Sequence, residues 1–242
     1  MRTGAVVAAA GIAVGENSFD PLKKIGSVSV AERVAATLAK AGIEKTVFVT
    51  GFNALKLEKA LSASDVVTLR NDAYASGDML GSVCVGLRYL IGKCERILVV
   101  PANIAMFTPE TVRALMRADA DYARPCFGGL AGHPVMLSAS LAQKLLRLEQ
   151  TGGLNAALRA LGAEGVDVPV NDRGVLFDAR QEQELGDMRE YHSSSLVRPV
   201  VRLSLAKELS FFNEKYAALL SLVDDLHSVR EACQGVYCKI KM

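Results

Sequence analysis

Along most of its length the chain alternates short apolar runs with amphipathic stretches. The runs "AVVAAA" (5–10), "TVFVTG" (46–51), "DVVTLRN" (65–71) and "RILVVPAN" (96–103) each predict a strand. Between them lie helical patterns. In 29–42, Ser29 and Glu32 fit a capping box, Val30, Val34 and Leu38 share one face, and Gly42 closes the helix. "NALKLEKAL" (53–61) and "DMLGSVCVGLRYLI" (78–91) predict two more helices, the latter weakened by Gly81 and Gly86. "TPETVRALMRA" (108–118) opens with Thr at the N-cap and Pro at the first helical position. Shorter strands are expected at 121–127 and 132–138, joined by a Gly-rich turn. Helices follow over "ASLAQKLLRLE" and "GLNAALRALG", and a last strand over "GVDVPVN" (165–171).

Strands alternating with helices imply a mostly parallel sheet covered on both faces. Ligands of such sheets sit beyond the carboxyl ends of the strands, so the loops after residues 10, 50, 70 and 100 form the candidate site face. After about residue 190 the character changes: "EYHSSSLVRP" reads as a linker, "VVRLSLA" as a strand, and "NEKYAALLSLVDDL" and "SVREAC" as a helix pair. We therefore expect a main domain over 1–190 and an appended piece over 191–242.

Composition narrows the picture. Half of the 242 residues are hydrophobic and Trp is absent, so small aliphatic side chains build the core. A formal charge of +2 is too weak for nucleic acid or an anionic membrane to be the main partner. The apolar run "AVVAAAGIAV" is about half the length needed to span a bilayer. Five cysteines without a C-x-x-C pair show no metal spacing; with no signal peptide they favour reduced thiols and a cytoplasmic protein.

The candidate chemistry starts in the loop after the first strand, "AGIAVGENSFDPLKK". A strand ending in a glycine loop brings backbone N–H groups to a phosphate. This loop, however, carries Glu16 and Asp20, and its lysines, Lys23 and Lys24, come late.

Several phrases in order, "AAAG", "FDPLKKIGSVSVAERV", "VFVTGF", "LRNDAYASGDMLGSV", "TPETVRAL", "GHPVMLS", "GGLNAALRAL" and "VPVNDRGVLFDA", resemble the MobA-like nucleotidyltransferases, closest to the branch of the molybdenum-cofactor cytidylyltransferases. The resemblance covers roughly residues 4–185. It implies a three-layer α/β/α fold around a mixed, mostly parallel sheet of the nucleotide-diphospho-sugar transferase type. It also implies magnesium-dependent transfer of a nucleoside monophosphate from CTP or another NTP to a pterin-type acceptor. The nucleotide would lie against Ala9, Ala10, Gly11, Ile12, Gly15 and Asp20, with Arg70 and Asn71 reaching it. Lys23 or Lys24 would serve the phosphates, Asn103 would stand at the magnesium position with Asp172 and Asp178 as further metal ligands, and His133, Gly152 and Gly153 would face the acceptor. For these residues ordinary structural roles stay open: a strand end for Asn103, a backbone-bonded histidine for His133, a helix cap for the glycine pair.

Against the family loop, Gly15 meets an arginine and Asp20 a lysine, and Asn103 meets the aspartate that binds magnesium. Nucleotidyl transfer depends on neutralising charge as pyrophosphate leaves. Losing these groups together is expected to cost several orders of magnitude in rate, so whether the chain is an active enzyme is left open. A non-catalytic ligand-sensing or interaction module and a sugar-nucleotide pyrophosphorylase are the alternative readings. The tail from "LVRPVVRLSLA" onward resembles the start of a molybdate-responsive winged helix-turn-helix, ending about where its recognition helix would begin. No independent DNA binding is expected, and the helix pair would pack on the main domain or on a second copy in a homodimer.

Overall fold

The computed structural model describes residues 2–11, 19–75, 78–148, 152–180, 186–188, 190–191, 205–206 and 210–212. It divides into two compact units, Met1–Ser195 and Leu196–Met242. In the second unit, strands Leu205–Ala206 and Ser210–Phe212 pair antiparallel. The helix pair expected there lies outside the described residues.

The first unit is built on β1 (Thr3–Ala9), β4 (Lys45–Thr50), β5 (Val67–Arg70), β6 (Arg96–Pro101), β7 (Tyr122–Phe127), β8 (Leu130–Ala131), β9 (Val135–Ser138) and β10 (Gly165–Pro169). They form one sheet in the order β10-β7-β9-β6-β1-β4-β5, with β8 beside β7. β9 runs antiparallel to β6 and β7, β8 antiparallel to β7, and the remaining pairs are parallel. A small hairpin of β2 (Lys24–Ile25) and β3 (Val28–Ser29), which the hydrophobic pattern did not announce, precedes α1.

Strand alternation feeds two cores. Val7 and Ala9 of β1, Phe48 and Leu98 pack with α1 (Val30–Ala41) and α4 (Pro109–Arg117) through Val34, Leu38, Val112 and Leu115. Val6, Val47, Val49 and Val99 face the other side, against Val83, Leu87, Leu141 and Leu158 of α3 (Met79–Leu90), α5 (Ala139–Leu145) and α6 (Gly153–Ala160). A further helix, α2 (Ala54–Ala60), buries Leu57. The result is the expected three-layer α/β/α fold. Among the described residues no helix is long and apolar enough to cross a membrane.

Local signals act as the pattern predicts. Ser29 and Glu32 make the reciprocal capping box, and Gly42 ends α1 in the left-handed conformation. The hydrogen bonds from Ser29 hold the Glu32 carboxyl below its ordinary value; burial opposes this and Lys24 adds to it. Gly86, expected to weaken α3, has a packing reason instead: a Cβ there would sit 2.4 Å from Val6 Cγ1. Its absence lets the helix lie directly on the central strand.

Candidate functional site

The chain leaves β1 for β4 and β5 on one side and returns to β6 on the other, so the carboxyl ends of β1 and β6 flank a switch point. There Ala102 N–H donates to Ala8 O at 3.1 Å, which sets Asn103 beside the end of β1. Ala9 and Ala10 are buried, and Ala10 O accepts from Phe52 N–H at 2.8 Å. Gly11 has φ +53°, a left-handed turn that glycine adopts without strain. A Cβ there would lie 3.4 Å from Phe19 O, so Gly11 and Phe19 approach each other. Ile12, Gly15 and Glu16 lie outside the described residues.

The segment after this loop is tied into its own turn. Asp20 Oδ1 accepts from Leu22 N–H and Asp20 O from Lys23 N–H, both at 2.9 Å. Lys23 is half-buried and its carbonyl accepts from Val30 N–H at 2.9 Å; Lys24 is exposed on the β2–β3 hairpin, within electrostatic reach of Glu32 at the start of α1.

A cleft of about 480 Å³ opens beyond β6. Asn103, His133, Asp178, Arg180, Met79 and Leu176 are among its walls. Asn103 Nδ2 donates to Asp178 Oδ1 at 2.7 Å, and Asn103 O accepts from Ala179 N–H at 2.9 Å. Asp178 is also held by Arg180: Nε donates to both carboxylate oxygens at 3.0 and 2.8 Å, Nη2 closes the fork on Oδ2, and the Arg180 N–H donates at 3.0 Å. Burial pushes the Asp178 carboxyl up, but the Arg180 and Asn103 hydrogen bonds outweigh it and hold the group below its ordinary value. His133 N–H donates to Val175 O at 3.0 Å, while its Nδ1 is buried without a partner among the described residues. Burial, assisted by Arg124 and Arg180 against an opposing Asp178, pushes the imidazole below its ordinary value, so it is neutral at pH 7.

Three expected residues have other work. Asp172 is 3% exposed. Its oxygens accept from Thr108 N–H (2.7 Å), Thr108 Oγ1 (3.0 Å), Thr111 Oγ1 (2.6 Å), Gly174 N–H (3.0 Å) and Tyr191 OH (3.3 Å). Every lone-pair direction is taken, so it anchors the start of α4 to the chain after β10 and has nothing left for a metal. Arg70 forks onto Glu58 of α2 at 2.9 and 2.8 Å instead of turning to a ligand. Asn71 is buried: its Nδ2 donates to Ser82 Oγ at 3.0 Å and its Oδ1 accepts from Ala73 N–H at 3.1 Å, so both ends of its amide are used within the fold.

Gly152 and Gly153 open α6 with φ 125° and 78°. Gly153 N–H donates at 3.2 Å to Asp78, whose other oxygen caps α3 through Gly81 N–H at 3.0 Å. Asp78 thus joins two helix starts, a role the sequence signalled only as a residue preceding an apolar helix. Arg180 was likewise missed, although "FDAR" sets it two residues after Asp178.

The magnesium site expected from Asn103, Asp172 and Asp178 does not fit this arrangement. Asn103 is uncharged, Asp172 is saturated and Asp178 is paired with a guanidinium. Magnesium takes carboxylates and waters, and among the described residues no group of three acidic, His or Cys side chains is placed to hold a metal.

The MobA-like NTP transferase domain family matches residues 5–166, which leaves Asp172, Asp178 and Arg180 beyond the matched stretch. No curated protein matches. Among solved structures, a nucleotidyl transferase from Methanothermobacter thermautotrophicus is 23% identical with TM-score 0.70, covering 81% of this chain and 99% of its own. Rv0371c from Mycobacterium tuberculosis is 19% identical with TM-score 0.65, covering 78% and 98%, and it is also known as a manganese complex. The 2-C-methyl-D-erythritol 4-phosphate cytidylyltransferase of Thermus thermophilus is 15% identical with TM-score 0.60, covering 80% and 100%. These likenesses establish the fold.

Proposed function

Because the chain belongs to the MobA-like NTP transferase domain family, we propose that it binds a nucleoside triphosphate at the carboxyl ends of β1 and β6 and has lost most of the family's transfer activity. The nucleotide would rest on the backbone around Ala9–Gly11, and a small acceptor would enter the cleft beside Asn103 and His133. From the motif resemblance we assign the acceptor to the pterin type and the nucleotide to CTP before GTP or ATP. From the motif resemblance, the C-terminal unit would be of the molybdate-responsive winged helix-turn-helix type.

One observation carries the impaired reading. The side chain at the family's metal position, Asn103, donates to a carboxylate already neutralised by Arg180. A leaving pyrophosphate would find no carboxylate-held divalent ion there to offset its charge.

Calorimetric titration with CTP, GTP and ATP tests binding, and pyrophosphate release with a pterin acceptor tests transfer. We expect one nucleotide to bind and release to run orders of magnitude below that of the Asp20→Lys/Asn103→Asp double variant. Failure of all three nucleotides to bind would return the fold to a non-catalytic interaction role. Rapid release by the unaltered chain would show the charge deficit to be harmless.

A further inference from the structure

Asp178 faces the cleft with a side-chain exposure of only 14%, and its guanidinium partner is 45% exposed. Both oxygens are engaged: Oδ1 by Asn103 Nδ2, Arg180 N–H and Arg180 Nε, and Oδ2 by Arg180 Nε and Nη2. A divalent ion could reach this carboxylate only by displacing the fork, and it would then stand beside a guanidinium of like charge. The fork uses Nε and Nη2; Nη1 makes no hydrogen bond among the described residues. A guanidinium presents five donors in a plane, so one edge can hold a carboxylate while the other meets a phosphate. Arg180 is the only arginine or lysine among the cleft's described lining residues.

We infer that Arg180 is the resident cation of this cleft, and that the cleft takes the phosphate of a nucleotide without a divalent ion. The inference rests on the nucleotide-binding reading above and replaces its metal with a side chain. Asp178 is then a positioning residue: it fixes the guanidinium plane, and Asn103 fixes Asp178. The exchange is self-consistent: Asn103 donates to the carboxylate where an aspartate would repel it, and Arg180 balances its charge.

Two measurements test this. The first uses manganese alone, followed by electron paramagnetic resonance. The unaltered protein should leave the free-ion signal intact, and Arg180→Gln, which removes the guanidinium from Asp178, should bind manganese more than the unaltered protein does. Tight manganese binding by the unaltered protein overturns the inference whether or not nucleotides bind. The second is calorimetry with CTP, GTP and ATP in EDTA and in magnesium. The bound nucleotide should show affinities within about threefold of each other in the two buffers, and Arg180→Gln should lose about tenfold in EDTA and regain part of it in magnesium. Binding that appears only with magnesium overturns the inference and leaves the nucleotide-binding reading intact. Absence of binding in both buffers removes that reading and the inference with it.

Discussion

Asp172 and Asp178 stand a few residues apart on the same stretch of chain and live in opposite surroundings. Around Asp172 the hydroxyls of Thr108, Thr111 and Tyr191 and two backbone N–H groups converge on a carboxylate that is 3% exposed, and among the described residues no cation takes part. Around Asp178 the balancing group is a half-exposed guanidinium at the wall of a cleft. The first arrangement spends a charge on architecture, because buried donors left without it would be costly. The second leaves a charge pair that a ligand can address. Acidity in a sequence thus says little about function until the donors around each carboxylate are known.

The same substitution at the two sites should sharpen the contrast. Asp172→Asn turns an amide N–H toward groups that themselves donate, and we expect a loss of about 3 kcal/mol in chemical denaturation. Asp178→Asn breaks a partly solvated ion pair and should cost about 1 kcal/mol. Equal losses would break the comparison.

Next in size is a pH effect from the cleft. The folded His133 imidazole lies below its ordinary value of 6.5, so as pH falls the unfolded chain takes up this proton first. Its contribution to stability is intact above 6.5 and is lost as pH drops from there through the folded value. Asp178, also held below its ordinary value of 3.8, stabilises the fold above that pH and gives the contribution up only in stronger acid. The melting temperature should therefore decline between pH 7 and pH 5, and His133→Asn should flatten that slope, as thermal unfolding across the range will show.

The smallest effect is expected at the far end of the site face. Arg70 is paired with Glu58 at the surface, so Arg70→Ala should leave stability nearly unchanged and nucleotide affinity unaltered, as denaturation and calorimetry will show. A clear loss of affinity would restore the ligand-contacting role that the motif suggested.

Much of the fold was legible because its signals are local. The capping box of Ser29 and Glu32, Thr108 before Pro109, and the alternation of Val6 and Val7 act within a few residues of themselves. The β2–β3 hairpin escaped because each strand has only two residues, too few to show a period. The packing role of Gly86 escaped because its reason, the close approach of Val6, lies on another element.

At the candidate site the division is sharper. The amino-acid sequence by itself determined the layered fold and the glycine turn after β1, since these follow from residue type and short-range pattern, while the charge deficit at Asn103 is what the family resemblance implies. Only the tertiary structure decided which aspartate is architecture, that Arg70 and Asn71 are consumed by Glu58 and Ser82, and that Arg180 closes on Asp178 beside Asn103. The physical reason is that a hydrogen-bonding group's role is set by the partners that reach it, and those partners lie up to 75 positions away in the chain.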